Sequence, residues 1–302
     1  MAEKKYALRK QIKSVRWMIF FVVLAQFAAG VLIEAIVSFM TNPPHQYIQI
    51  ALVELIAIGV PISIYAKTVW NSSGKRIKQE LCLKGCDLKF FILAALLGIS
   101  GQFVMMLLNV PANFIVNLVT GKTAVQEVPI AEHWYDLLLG FFAVVIIPAV
   151  LEEFLMRGII FRAYSRCNTT AAVLFTALIF ALLHLNVNEV VGFFFMGLVT
   201  SILLTKSKSL YVPMVYHAFS NLTALLFGAF IMPWIIDYIW VAFAVIVVLF
   251  ALSFMVLLKQ RGGMIRTKSL RTAPLIITSI FSMPVLLSVV TVVVKYLLLK
   301  GG

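Results

Sequence analysis

Three short polar clusters interrupt otherwise apolar stretches of the chain: Glu152-Glu153-Phe154-Leu155-Met156-Arg157, then Phe180-Ala181-Leu182-Leu183-His184, then His217-Ala218-Phe219-Ser220-Asn221. Ionisable side chains at membrane depth are costly to bury, so they usually line a cavity in which something happens. Two carboxylates, two imidazoles, an amide and a guanidinium make a hydrolytic set. A glutamate and a histidine can hold a water between them, with Glu152 taking its proton as general base. His217 and Asn221 can donate hydrogen bonds to the oxyanion that forms when water attacks a carbonyl. No serine or cysteine is evidently paired with a base, which argues against a covalent nucleophile. The alternative is that Glu152, His184 and His217 ligate one zinc, which would activate the water. There is no His-Glu-x-x-His pattern to favour that route, and residue types alone leave both open.

Spacing assigns roles within the clusters. Side chains four apart share a helix face, so Glu153 can pair with Arg157, in the favourable order with the acid N-terminal. Glu152 is rotated by about 100° and addresses a different neighbour. Glu153–Arg157 is therefore expected to be structural and Glu152 free for chemistry. Pro148 should kink the helix just before them. Glu152 and His184 each lie 16 residues from Asn168, where the chain should turn. In an antiparallel helical hairpin equal spacing means equal depth, here roughly 20–24 Å from the turn at 1.5 Å per residue. His217 and Asn221 again share a face. Each cluster alone has a plain structural account, as a salt bridge or as interhelical hydrogen bonds. Three clusters at compatible depths favour one site.

The elements that must position these residues are membrane helices. The chain of 302 residues is 62% hydrophobic and only 12% charged, where a soluble domain is about 25% charged. The fold class expected is all-α, a polytopic transmembrane bundle of eight or nine spans forming one membrane domain over 1–302. Apolar windows fall at about 17–40, 47–66, 90–119, 135–164, 169–185, 189–205, 210–231, 234–258 and 274–299. The third and fourth exceed the ~20 residues a bilayer needs and should tilt, bend or protrude, with Pro111 a bend or exit point. The first follows a basic segment ending at Arg16 and is long enough to be a retained signal anchor. Residues 1–89 hold this segment and two spans, 90–231 the core that carries the motifs, and 232–302 the C-terminal spans.

The net charge of +13 reflects lysines and arginines beside the ends of apolar runs, so an anionic leaflet is the partner expected rather than nucleic acid. With the N-terminus cytoplasmic, 22 of the 25 basic residues fall on the cytoplasmic side and Lys122, Lys295 and Lys300 outside. The positive-inside rule therefore orients the chain with its N-terminus in. Nothing in the sequence sets an oligomeric state.

Glu-Glu-x-x-x-Arg, Phe-x-x-x-His and His-x-x-x-Asn, in that order on successive membrane helices, resemble the CAAX protease and bacteriocin-processing (CPBP) family, which includes the type II CAAX prenyl endopeptidases and Abi-type bacterial proteins. The likeness covers roughly residues 90–231. It implies an intramembrane endopeptidase with a helical core and a cavity opening to the cytoplasm, classed either as glutamate-dependent or as a metalloprotease. By position it implies catalytic roles for Glu152, His184, His217 and Asn221, with Glu153, Arg157 and Phe180 as supporting residues. The substrate implied is a membrane-associated peptide or protein, such as a bacteriocin leader or signalling-peptide precursor, and the location a bacterial plasma membrane. Two other functions fit the composition: a non-catalytic scaffold or immunity protein that binds a membrane partner, and a proton-coupled transporter. Paired half-repeats of the transporter type are not evident.

The remaining polar residues carry weaker signals. Cys82, Cys86 and Cys167 fall in cytoplasmic segments, where thiols stay reduced. Cys82-Leu-Lys-Gly-Cys86 lacks the second ligand pair that a zinc site requires. Glu34 and Glu54 are expected to face each other across the first hairpin, far in depth from the three clusters. His45 and His133 are expected in solvated outer loops. Phe193-Phe194-Phe195 is expected to be packed or lipid-facing.

Overall fold

A computed structural model describes residues 2–70, 81–120, 133–227 and 238–260, together with Lys78 and isolated positions between 279 and 290. The described elements are all helical. They are α1 (Ala2–Ser38), α2 (Gln46–Glu54), α3 (Val60–Tyr65), α4 (Leu88–Thr120), α5 (Trp134–Gly140), α6 (Ile147–Glu153), α7 (Arg162–Ser165), α8 (Thr169–Leu183), α9 (Val190–Ser207), α10 (Tyr211–Leu226) and α11 (Ile239–Lys259). Among the described residues six helices are long and apolar enough to cross a membrane: Leu8–Ser38, Gln46–Thr68, Leu88–Leu118, Trp134–Ser165, Val190–Ser207 and Trp240–Lys259. The protein is a multi-pass helical membrane protein. The first eight expected spans are all found as helices. One of them, α8 with 15 residues, is shorter than a bilayer crossing and largely buried; α10 is described over 16 residues, up to the edge of the described stretch. The expected span at 274–299 lies largely outside the described residues, as do Lys122 and most of the basic segment after Lys259.

Several local expectations are corrected. Helix α1 begins at Ala2, well before the expected start, because Ile12, Val15, Ile19 and Val22 form a buried stripe at helical spacing. Helix α4 does not exit at Pro111 but runs through it to Thr120. His45 and His133 are not simply solvated. Both flank the buried Asp136, with His45 Nε2 at 3.1 Å and His133 Nδ1 at 3.7 Å, and the Asp136 carboxylate also accepts from the His133 backbone N–H at 2.9 Å.

The fourth span shows how its sequence aims the site. Short α-helix α6 is bracketed by two π-helical stretches, Phe141–Ile146 and Phe154–Phe161. Each π turn adds a residue to the helical repeat and rotates the side chains beyond it. Pro148 sits in the first turn of α6, where its missing N–H falls at the boundary between the two helix types. Where a kink is expected, the helix changes type. The second span has the same device, with Glu54 ending α2 and a π turn, Leu55–Gly59, coming directly after it.

Small residues let the core helices close on one another. A Cβ on Gly98 of α4 would lie 2.5 Å from the Tyr216 carbonyl oxygen of α10, and one on Gly197 of α9 would lie 2.6 Å from Ala177 Cα of α8. Close backbone approach of this kind supplies the van der Waals contact that holds membrane helices together. At the start of α9, the Asn109 side chain of α4 accepts from the Gly192 N–H at 2.7 Å, satisfying one of the donors a helix N-terminus leaves open.

Candidate active site

The three clusters converge. The hairpin between the fourth span and α8 turns at Asn168, whose side chain caps α8 by accepting from the Ala171 N–H at 3.0 Å. From that turn the two arms run side by side, and His184 Nε2 comes to 3.6 Å from Glu152 Oε2. His184 lies just past the last residue of α8. Its Nδ1–H donates to the Phe180 carbonyl at 2.8 Å, satisfying an acceptor in the final turn of the helix. A carbonyl can only accept, so in the neutral ring the proton is on Nδ1 and the lone pair is on Nε2, facing Glu152. Leu185, with φ of 51°, then turns the chain away.

One residue further on, the surroundings change completely. Glu153, Arg157 and His217 are sealed from solvent, at 0%, 0% and 2% exposure. Arg157 Nη1 donates to Glu153 Oε1 at 2.9 Å, as the four-residue spacing predicts. His217 Nδ1 lies 3.0 Å from the same oxygen. Arg157 Nη2 donates to the Gly197 carbonyl at 3.1 Å and to the Thr200 hydroxyl. The guanidinium also lies 4.8 Å from the centre of the Phe180 ring, a cation–π distance. Phe180 meets the His217 ring edge-on at 5.9 Å. A buried guanidinium needs its charge balanced; Glu153 supplies that balance and both Nη atoms of Arg157 donate, while Arg157 Nε and Glu153 Oε2 have no hydrogen-bond partner among the described residues.

Asn221 lies one turn beyond His217 and donates from Nδ2 to the Val144 carbonyl at 2.8 Å, within the π-helical stretch before α6. A π turn frees carbonyls from the regular ladder, and the amide fills that gap. Asn221 therefore ties α10 to the fourth span while keeping its second N–H.

Neighbours from three places in the chain carry no motif in the sequence. Thr200 and the Gly197 carbonyl come from α9, 43 and 40 residues from Arg157 in sequence. Phe193, from the phenylalanine run, stacks on His184 with ring centres 3.6 Å apart and packs within the site. The third is Glu54. Its side chain is in hydrogen-bond contact with Glu152, so it does not lie far in depth from the three clusters as expected. Glu34 is exposed on α1. The reason is the packing of α2 and its π turn directly against α6, which the basic-residue count could not reveal.

The zinc alternative would need Glu152, His184 and His217 on one ion. Among the described residues no three His, Cys, Asp or Glu side chains converge to hold a metal. Each histidine uses Nδ1 within the protein, His217 to Glu153 and His184 to a carbonyl, which leaves Nε2 of each as the atom that could take a ligand, but the two histidines contact different glutamates. Cys82, Cys86 and Cys167 form no disulfide, and the Cys82 sulfur accepts from Arg162 Nη2.

Residues 133–223 match the family model described as Type II CAAX prenyl endopeptidase Rce1-like. The match bears out the resemblance read from the three motifs and contains all seven residues that carry it. No curated protein and no solved structure matches the chain.

Proposed function

We propose that the protein is an intramembrane endopeptidase that activates water between Glu152 and His184. The observation that carries this reading is the 3.6 Å approach of His184 Nε2 to Glu152 Oε2, at the partly open edge of a polar set whose other half is sealed. Both facing atoms can accept. One water can donate a proton to each and present its lone pairs to a peptide carbonyl. Glu152 takes the proton as the water attacks, and the tetrahedral intermediate carries the negative charge on the former carbonyl oxygen. The free N–H of Asn221 and the Nε2 edge of His217 supply the donors for that oxygen. Glu153 supports the positive charge on the His217 ring when Nε2 donates. Glu152 then returns that proton to the leaving amine, directly or through His184 Nε2, as the C–N bond breaks and the carbonyl re-forms. No step passes through a metal.

The substrate is a membrane-associated peptide or protein cut near the cytoplasmic face of a bacterial plasma membrane, with the N-terminus of the enzyme on the same side. The matching family's description names a prenyl CAAX endopeptidase. The test therefore uses two quenched fluorogenic peptides that differ only in a farnesyl group on the cysteine preceding the last three residues. Purified protein in lipid nanodiscs should hydrolyse at least one, and the ratio of rates reports whether the lipid is recognised. Metal analysis accompanies the assay. Activity without metal supports the glutamate–histidine mechanism, whereas stoichiometric zinc lost in both His184→Ala and His217→Ala replaces it with metal-activated water. Folded protein that cuts neither peptide contradicts the protease reading.

A further inference from the structure

Glu54 lies outside the stretch matched by the family model and outside all three motifs, yet its side chain is in hydrogen-bond contact with Glu152. Two carboxyl groups can make such a contact only with a proton between them, since two carboxylates at that distance repel. Other charged or polar partners near Glu152 are already placed. Arg157 is turned to Glu153, and His184 faces Glu152 from the opposite helix. Glu54 Oε1 is buried and has no hydrogen-bond partner among the described residues. A buried acceptor left open beside a reactive carboxyl is costly in a purely structural role. The backbone points the same way, because Glu54 ends α2 and the π turn at Leu55–Gly59 starts at the next residue. π turns of this kind re-aim a side chain and are frequent at functional sites.

We propose that Glu54 is a positioning residue for Glu152. One hydrogen bond across the interface of the second and fourth spans fixes the rotamer in which the other carboxylate oxygen of Glu152 faces His184 Nε2. The inference rests on the protease reading for its functional consequence and on the Glu54–Glu152 contact for its geometry, and the two can be tested separately.

The kinetic arm uses the two fluorogenic peptides. Glu54→Leu removes the hydrogen bond while keeping an apolar side chain of similar size, and kcat should fall on the order of 10–100-fold, the size of one charge-assisted hydrogen bond, with KM unchanged. Glu54→Gln keeps a group that can donate and accept at the same place and should recover most of the lost kcat. Glu34→Gln, at an exposed position, serves as the unchanged control. A residue that only held the helices together would lower folded yield without this rescue pattern. The second arm needs no turnover. Thermal unfolding of wild type, Glu54→Leu, Glu152→Leu and the double variant should give non-additive midpoint shifts, as contacting side chains do. Additive shifts, or full kcat in Glu54→Leu, overturn the inference. An inactive wild type with non-additive shifts removes the protease reading and leaves the Glu54–Glu152 contact standing.

Discussion

Glu152 and Glu153 are neighbours in the chain and opposites in environment. Glu153 is wholly buried, accepts from Arg157 and His217 on one oxygen, and belongs to a lattice that extends to Gly197, Thr200 and Phe180. The Glu152 side chain keeps 14% exposure, faces His184 at 3.6 Å and touches Glu54. The helix rotates one carboxylate into a fixed ion lattice and the next to a partly exposed edge, where the proposed reaction would take place. The first half makes the second possible, since a rigid His217 and a pinned fourth span hold Glu152 and His184 in register. A consecutive pair of acids, then, need not be a redundant pair.

Substitutions on the two sides should therefore fail differently. The largest expected effect is on the reachable side. His184→Ala should lower kcat by about 10²–10⁴, the range for loss of a general acid–base partner, with a normal unfolding midpoint. Peptide turnover and a thermal melt on the same preparation check both halves of that statement. Next, Asn221→Ala should cost about 10²–10³ in kcat if its free N–H serves the oxyanion. Because Asn221 also ties α10 to Val144, some loss of thermal stability should accompany it.

On the sealed side the loss should be of structure. Arg157→Ala strands the Glu153 carboxylate, and removing one partner of a buried pair costs about 3–5 kcal/mol. The measurement is the monodisperse fraction in size-exclusion chromatography, and wild-type yield would contradict the lattice. The smallest effect is expected for Thr200→Val, which removes one acceptor from Arg157 Nη2 and should destabilise by about 1–3 kcal/mol while leaving kcat per folded molecule unchanged. Orientation has its own check. Reporter fusions after Lys78 and Arg261 should read cytoplasmic and one at Lys122 external, and a cytoplasmic signal at Lys122 would reverse the side on which the site opens.

Much of this arrangement was legible in the sequence because it comes directly from helix geometry. The four-residue step gave Glu153–Arg157, the 100° rotation separated Glu152 from it, and equal distance from Asn168 brought His184 beside Glu152. What was not legible depends on which helices pack together. Nothing local says that α9 supplies Thr200 and the Gly197 carbonyl to Arg157, or that His217 chooses Glu153 rather than Glu152. Apolar windows locate the ends of a span but not how far it slides against its neighbour, so the contact of Glu54 with Glu152 is not legible in them. Arg157 was counted among the charges that orient the chain. It is sealed in the core, where it interacts with Glu153 and not with a leaflet surface.

The division of labour between the two glutamates is best tested by comparing Glu152→Gln with Glu153→Gln, scoring each for turnover per folded molecule and for folded yield. Glu152→Gln should accumulate and melt like wild type while its peptide hydrolysis falls to the detection limit. Glu153→Gln should lose folded yield, and whatever folds should retain a measurable fraction of wild-type kcat. Full turnover in well-folded Glu152→Gln, or a silent but fully stable Glu153→Gln, would contradict that division.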